Sequence, residues 1–289
     1  MINRSLIFYF IGIALLESNL SDISTCKLAD NHSKIVIAGG SITEIIYFLN
    51  EDKKIVGVDV TSNYPKKAKD LPSIGYVRNL STEGILSLNP TLILGEDDMG
   101  PPNVIRQIKE IDVDLRIIPE EKSISGIINK IQCVASIIGA SEKAQEMINT
   151  SLLPSIKELE EIQNYSQIRA KKVMLILSMQ GTSPIVAGRG TSGDGFINMI
   201  GAQNVFDSFD GWKPVSAESI IAVNPEYILL PERDMHKNSN VNNLKTNPLF
   251  KNTIAGFKNN FISEDAMTML GFGPRSIDSA LKIAKIIAD

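Results

Sequence analysis

Apolar residues fall along the chain in two alternating rhythms. The β-branched run Ile35-Val36-Ile37-Ala38 reads as a buried strand ending at Gly39-Gly40, and residues 42–49 then carry apolar side chains at helical spacing. Ser41 is placed to cap that helix, with Glu44 three residues on completing a capping box. Further strands are predicted at 55–58, 91–94 and 115–118, with helices over 82–88 and 104–110 between the later ones. Such alternation implies a mostly parallel sheet with helices on both faces.

The rhythm changes at residue 123. From there to 165 no strand pattern appears, and apolar residues recur at helical spacing. Gly139-Ala140-Ser141 marks a stop and a new start, and the stretch 142–163 predicts one long helix kinked at Pro154. Alternation resumes with a strand at 172–177, a glycine-rich loop, a helix at 195–200 and a strand at 226–230. The predicted architecture is α/β. Two Rossmann-like lobes, 34–140 and 166–289, are joined by a helical connector at 141–165 that restricts opening to small motions.

An internal repeat supports the division. Leu80-Ser81-Thr82-Glu83-Gly84-Ile85-Leu86-Ser87-Leu88-Asn89-Pro90 aligns with Val215-Ser216-Ala217-Glu218-Ser219-Ile220-Ile221-Ala222-Val223-Asn224-Pro225, at a constant offset of 135 residues. Each copy reads as a capped helix, an Asn-Pro stop and an apolar strand. Two related lobes facing each other form a cleft.

Composition narrows the class. With 43% hydrophobic and 21% charged residues the chain is an ordinary globular protein. Its net charge of −4 lacks the basic excess that phosphate neutralisation demands, which argues against a nucleic-acid binder. At the N-terminus, Asn3-Arg4 precede an apolar run over 6–16, the pattern of a secretory leader ending by residue 26 and too short for a permanent span, which needs about 20 residues. Cys26 stands where a lipidated cysteine would, but Ile23-Ser24-Thr25 is a poor lipobox, so a free periplasmic protein is expected. If Cys26 belongs to the leader, Cys133 has no disulfide partner and reads as a small buried hydrophobe.

With these features in hand, the chain resembles the periplasmic haem-binding proteins of ABC-type haem importers, which share a fold with cobalamin- and siderophore-binding proteins. The resemblance rests on Ile37-Ala38-Gly39-Gly40-Ser41, Val56-Gly57-Val58-Asp59, Tyr64-Pro65, Gly75-Tyr76-Val77-Arg78, Ala187-Gly188-Arg189-Gly190-Thr191 and Gly271-Phe272-Gly273-Pro274-Arg275. It implies haem as the transported ligand and Tyr76 as the axial ligand of its iron. It also implies a monomer that delivers to an inner-membrane permease and ATPase complex, and no enzymatic activity. Phenolate oxygen suits ferric iron. A free tyrosine ionises near pH ~10, so a neighbouring cation is needed, and Arg78 supplies it if the local chain is extended.

Arg189, among glycines, and Arg233 are candidate partners for the ligand's carboxylates or the tyrosinate. By the same resemblance, Glu83 and Glu218 are the acids that meet arginines on two transporter subunits; the alternative is that each acid simply complements its helix dipole. His32 and His236 are the only histidines; His32 is expected to be solvated near the mature N-terminus, and His236 to lie in a surface loop. Two rivals remain open. A siderophore or cobalamin carrier has the same fold without needing Tyr76 at iron distance. A secreted enzyme would need a metal cluster or nucleophile pairing that two histidines support poorly.

Overall fold

The computed structural model describes residues 25–111, 113–165, 167–232, 244 and 246–288. The N-terminal lobe runs β1 (Ile35–Ala38), α1 (Gly40–Phe48), β2 (Ile55–Val58), β3 (Gly75–Tyr76), β4 (Asn79–Leu80), α2 (Thr82–Leu86), β5 (Leu92–Gly95), α3 (Pro102–Lys109) and β6 (Asp114–Ile117). Its main sheet has the order β2-β1-β5-β6, every pair parallel. All four residues of β1 and of β5 are buried, as a parallel strand covered on both faces must be.

The N-terminal lobe closes with α4 (Ile124–Ile137), and α5 (Ser141–Met147) and α6 (Leu153–Tyr165) follow as the connector. Between α5 and α6, residues Ile148–Leu152 form a π-helical turn. Pro154 cannot donate a backbone bond, and the wider turn immediately before it absorbs the missing ladder contact. The predicted long helix is thus continuous in course but rewound ahead of its proline.

The C-terminal lobe comprises β7 (Lys172–Gln180), β8 (Ser183–Ala187), α7 (Ser192–Ile200), β9 (Gln203–Asn204), β10 (Trp212–Pro214), α8 (Ala217–Val223), β11 (Tyr227–Glu232), α9 (Ile254–Lys258), β12 (Phe261–Asp265), α10 (Ala266–Leu270) and α11 (Arg275–Ala288). Its sheet order is β10-β8-β7-β11-β12, with β9 also on β7. Strands β7, β11 and β12 are parallel, while the hairpin β7–β8 and the edge pair β8–β10 are antiparallel. The fold is therefore two α/β lobes with mostly parallel sheets and a helical connector. One apolar core runs through both lobes, containing Ile37 and Ile45 of the first, Leu159 of the connector and Phe196, Phe272 and Ile277 of the second.

The repeat has structural counterparts. Ser81 Oγ accepts from the Gly84 N–H at 2.9 Å, and Ser216 Oγ from the Ser219 N–H at 3.2 Å. Asn89 and Asn224 both take φ 48°, a left-handed conformation that asparagine tolerates, just ahead of their prolines.

Two expectations need correction. Helix α1 starts two residues earlier than a Ser41 cap requires, and its N-cap is Gly39 with no side-chain cap. The Ser41 N–H, which Glu44 would have to reach in a capping box, is already bonded to Glu96 Oε1 at 3.1 Å. Ser41 and Glu44 face inward instead. Cys26, for its part, is joined to Cys133 in a disulfide, with Cα atoms 4.8 Å apart and 107 residues between them. It packs on the main core, so Cys133 does have a disulfide partner and the chain at Cys26 is tied to α4. Residues 1–24, which hold the apolar run of the expected leader, lie outside the described residues. No helix among the described residues is long and apolar enough to cross a membrane.

Candidate functional site

In the N-terminal sheet the chain leaves β1 toward β2 on one side and later returns to β5 on the other, so the strand order reverses between β1 and β5. Such a switch point, at the carboxyl ends of the strands, is where open α/β sheets form their crevices. The main cleft of this protein, about 630 Å³, lies there. Its lining follows strand ends: Val60 and Thr61 after β2, Glu96 to Asp98 after β5, Glu120 and Lys122 after β6. The other lobe supplies Gly190 to Ser192 after β8, Glu232 at the end of β11, and Asp265 to Met267 where β12 meets α10.

Tyr76 and Arg78 both line this cleft. They are not two positions along one strand, as an extended chain would make them. Tyr76 pairs with Asn79 in the β3–β4 hairpin, and Val77-Arg78 form its turn. Val77 is buried in the core of the N-terminal lobe, which turns its neighbours outward. The hairpin is held between the loops that follow β2 and β5. Val60 N–H donates to Gly75 O at 2.8 Å, and Gly100 N–H to Val77 O at 2.9 Å. Tyr76 is thereby presented with 45% of its surface free. Arg78 is bound through Nε (2.7 Å) and Nη2 (2.6 Å) to Asp98 Oδ2, and Tyr76 lies close enough to act on its charge.

Across the cleft the second lobe offers Trp212, Met267 and Leu270, an apolar wall opposite a phenol. A flat ligand with one metal-binding face and one greasy face suits that pairing.

Below the cleft lies a buried charged network that sequence reading missed. Lys130, only 1% exposed, donates to Glu120 Oε2 at 2.8 Å, Ser41 Oγ at 3.1 Å and Gly271 O at 3.4 Å. Glu96 accepts from the N–H and Oγ of Ser41 at 3.1 and 2.6 Å. Burial pushes the Glu96 carboxyl up to about 7, against the pull of Lys130 and the Ser41 hydroxyl. Gly39 takes φ 153°, and a Cβ there would lie 2.5 Å from the Glu96 side chain, so glycine is required where the helix passes this carboxylate.

The other predicted residues are distributed as follows. Arg189 pairs with Asp210 at 2.7 Å on the exposed surface; its neighbours Gly190 and Thr191 line the cleft and it does not. Arg233 and His236 lie outside the described residues. His32 is half-buried beside Gly139 instead of solvated, and its shielded Nδ1 has no hydrogen-bond partner among the described residues. It precedes β1, at the edge of the sheet away from the cleft. Glu83 and Glu218 are both exposed in the first turns of α2 and α8. Neither lines the cleft. The Glu218 carboxyl is held below the usual range by its own backbone N–H and the Ser216 hydroxyl. No group of three or more metal-ligating side chains occurs among the described residues.

A family model described as "Periplasmic binding protein" matches residues 35–267. Among solved structures, the chain is similar to the periplasmic heme-binding protein RhuT from Roseiflexus sp. RS-1, with 32% identity, TM-score 0.81, and 90% of this chain and 99% of that one covered. It is similar also to the periplasmic heme-binding protein BhuT in complex with two hemes, at 29% identity and TM-score 0.81, covering 89% of this chain and 98% of that one. An uncharacterized ABC transporter substrate-binding lipoprotein, YvrC of Bacillus subtilis (strain 168), is 28% identical over 199 residues; the match spans 68% of this chain and 62% of that relative's length.

Proposed function

The chain belongs to the periplasmic binding protein family, and on that premise we propose that it captures haem in the inter-lobe cleft and delivers it to an ABC importer. Membership places it among binding proteins and not among enzymes. In the proposed complex Tyr76 ligates the ferric iron from the N-terminal lobe. Trp212, Met267 and Leu270 cover the porphyrin from the other lobe, and Arg78 supplies the positive charge that favours a phenolate. Arg189 and Arg233 are proposed as partners of the ligand's carboxylates; Arg189 would first have to leave Asp210.

The observation that carries this reading is Tyr76 itself. An exposed phenol on a pinned hairpin, beside a guanidinium and facing an apolar wall, has no role in holding the fold. The likeness to two heme-binding proteins over about nine-tenths of the chain supports it.

We read the lobes as 34–140 and 166–289 about the connector 141–165, and the protein as an exported monomer. A cysteine sulfur held in a disulfide cannot also carry a lipid, so the Cys26–Cys133 bond favours a free protein over an anchored one. The proposed partners are a permease and ATPase in the inner membrane, met through Glu83 and Glu218.

The test is an absorption titration of the purified mature protein with ferric haem. Saturable one-site or two-site binding, with a high-spin spectrum and charge-transfer bands, supports the reading. No haem binding, with uptake of cobalamin or a ferric siderophore instead, overturns it.

A further inference from the structure

The cleft is richer in acids than an anionic ligand would welcome. Its described lining contains Glu96, Asp97, Asp98, Glu120, Glu232 and Asp265 against two cations, Arg78 and Lys122. Most of the acids are occupied. Asp98 is bound by Arg78, Glu120 by Lys130, Glu96 by Ser41 and Glu232 by Ser263 Oγ at 2.6 Å. The cations differ sharply from each other. Arg78 is already paired with Asp98. Lys122 is exposed, and its Nζ donates to the carbonyl of Gly190 at 3.1 Å, a neutral partner on the opposite lobe.

The base of Lys122 is fixed even though its tip is free. A Cβ on Gly195 would lie 2.6 Å from Lys122 Cβ and 2.7 Å from its carbonyl oxygen, so the backbone of residue 122 is seated against the start of α7. Gly190 takes φ 77°, and that backbone conformation belongs to the Ala187-Gly188-Arg189-Gly190-Thr191 motif. The motif therefore sends its arginine out to Asp210 while its backbone receives the lysine from across the cleft.

We propose that Lys122 is the anchor for an acidic side chain of the ligand, exchanging the Gly190 carbonyl for a carboxylate when the ligand enters. The proposal rests on the haem reading and makes it more specific: the carboxylates at the porphyrin edge lie toward the β6–α4 loop and Gly190. A carboxylate adds a charge–charge attraction to the ammonium that a neutral carbonyl lacks, so the exchange favours the ligand. Replacement of Lys122 leaves the Cβ seat on Gly195 intact, and the fold is retained.

The experiment compares two ferric porphyrins, haem and its dimethyl ester, by absorption titration of wild type, Lys122→Met and Lys122→Arg. Lys122→Met is expected to weaken haem binding about tenfold or more. It is expected to leave binding of the diester unchanged, while Lys122→Arg keeps most of the affinity for haem. An equal loss for both porphyrins would make Lys122 a lobe-to-lobe tie only and overturn the proposal, as would unchanged haem affinity in Lys122→Met. Failure of wild type to bind haem at all is a separate outcome. It removes the haem reading first, and the Lys122 assignment with it.

Discussion

Arg275 holds Glu44 from two directions, its backbone N–H bonding one carboxylate oxygen and its Nε the other, both at 2.8 Å. The two residues are 231 positions apart and belong to different lobes. The same guanidinium lies 3.7 Å from the ring centre of Tyr64, so one side chain closes the lobe junction by an ion pair and a cation–π contact. Gly273 completes the fit, since a Cβ there would approach Glu44 Oε1 to 3.1 Å.

Glu44 is buried, and burial raises its carboxyl above the ordinary range while Arg275 opposes the shift. Removing the arginine strands a carboxylate in the core. Arg275→Ala is expected to cost about 3 kcal/mol, and the double variant Glu44→Gln with Arg275→Ala less than that, because the uncompensated charge is gone. Urea denaturation of the single and double variants measures this. A double variant that loses as much as the sum of the two singles would show that the pair is not coupled.

Glu96 gives the fold a pH dependence of definite sign. Its carboxyl titrates near 4.5 when unperturbed and is raised to about 7 in the folded protein. Between those values the folded state holds a proton that the unfolded chain releases. Stability is therefore greatest at the acid end of the window and falls as pH rises toward about 7, by on the order of 3 kcal/mol. Glu96→Gln keeps an acceptor for Ser41 without the charge. The urea midpoint of wild type is expected to drop between pH 5 and pH 8, and that of the variant to drop much less. Equal slopes would contradict the assignment; Glu44, also raised, accounts for a residual slope in both.

How much of this was legible depended on how far apart the partners lie in sequence. The strands, the connector and the paired helix–Asn-Pro–strand units could be read because each is encoded within fifteen residues or so, and Asn89 and Asn224 take the same φ as their equivalence implied. Ser41 and Glu44 were misread for the same reason. Their spacing is that of a local cap, but their partners Glu96 and Arg275 lie 55 and 231 residues away. Lys130 resembled an ordinary helix-surface lysine, since nothing local marks a cation that three other segments bind. Cys26 and Cys133 were separated by an assumption about where a leader ends. Tyr76 lines the cleft, yet the hairpin that presents it was not legible, because two-residue strands carry no periodicity.

The two repeat-equivalent acids test delivery as distinct from capture. Neither Glu83 nor Glu218 touches the cleft, so Glu83→Ala with Glu218→Ala is expected to leave ligand affinity unchanged. Exposed charges steer and orient association, and losing both should impair transfer into vesicles carrying the cognate importer more than losing either. Vesicle uptake assays with the two single variants and the double variant decide it. Normal transfer by the double variant would leave these acids as ordinary helix-start residues.

The central claim is that Tyr76 binds iron. Tyr76→Phe removes one oxygen from an exposed ring and disturbs no hydrogen bond that holds the hairpin, which is pinned by backbone groups and Val77. Titration of ferric haem into wild type and Tyr76→Phe, followed through the Soret and charge-transfer bands, addresses it directly. The account predicts that the variant folds normally, loses the high-spin charge-transfer bands and binds haem at least about tenfold more weakly. Equal affinity with an unchanged spectrum would contradict it.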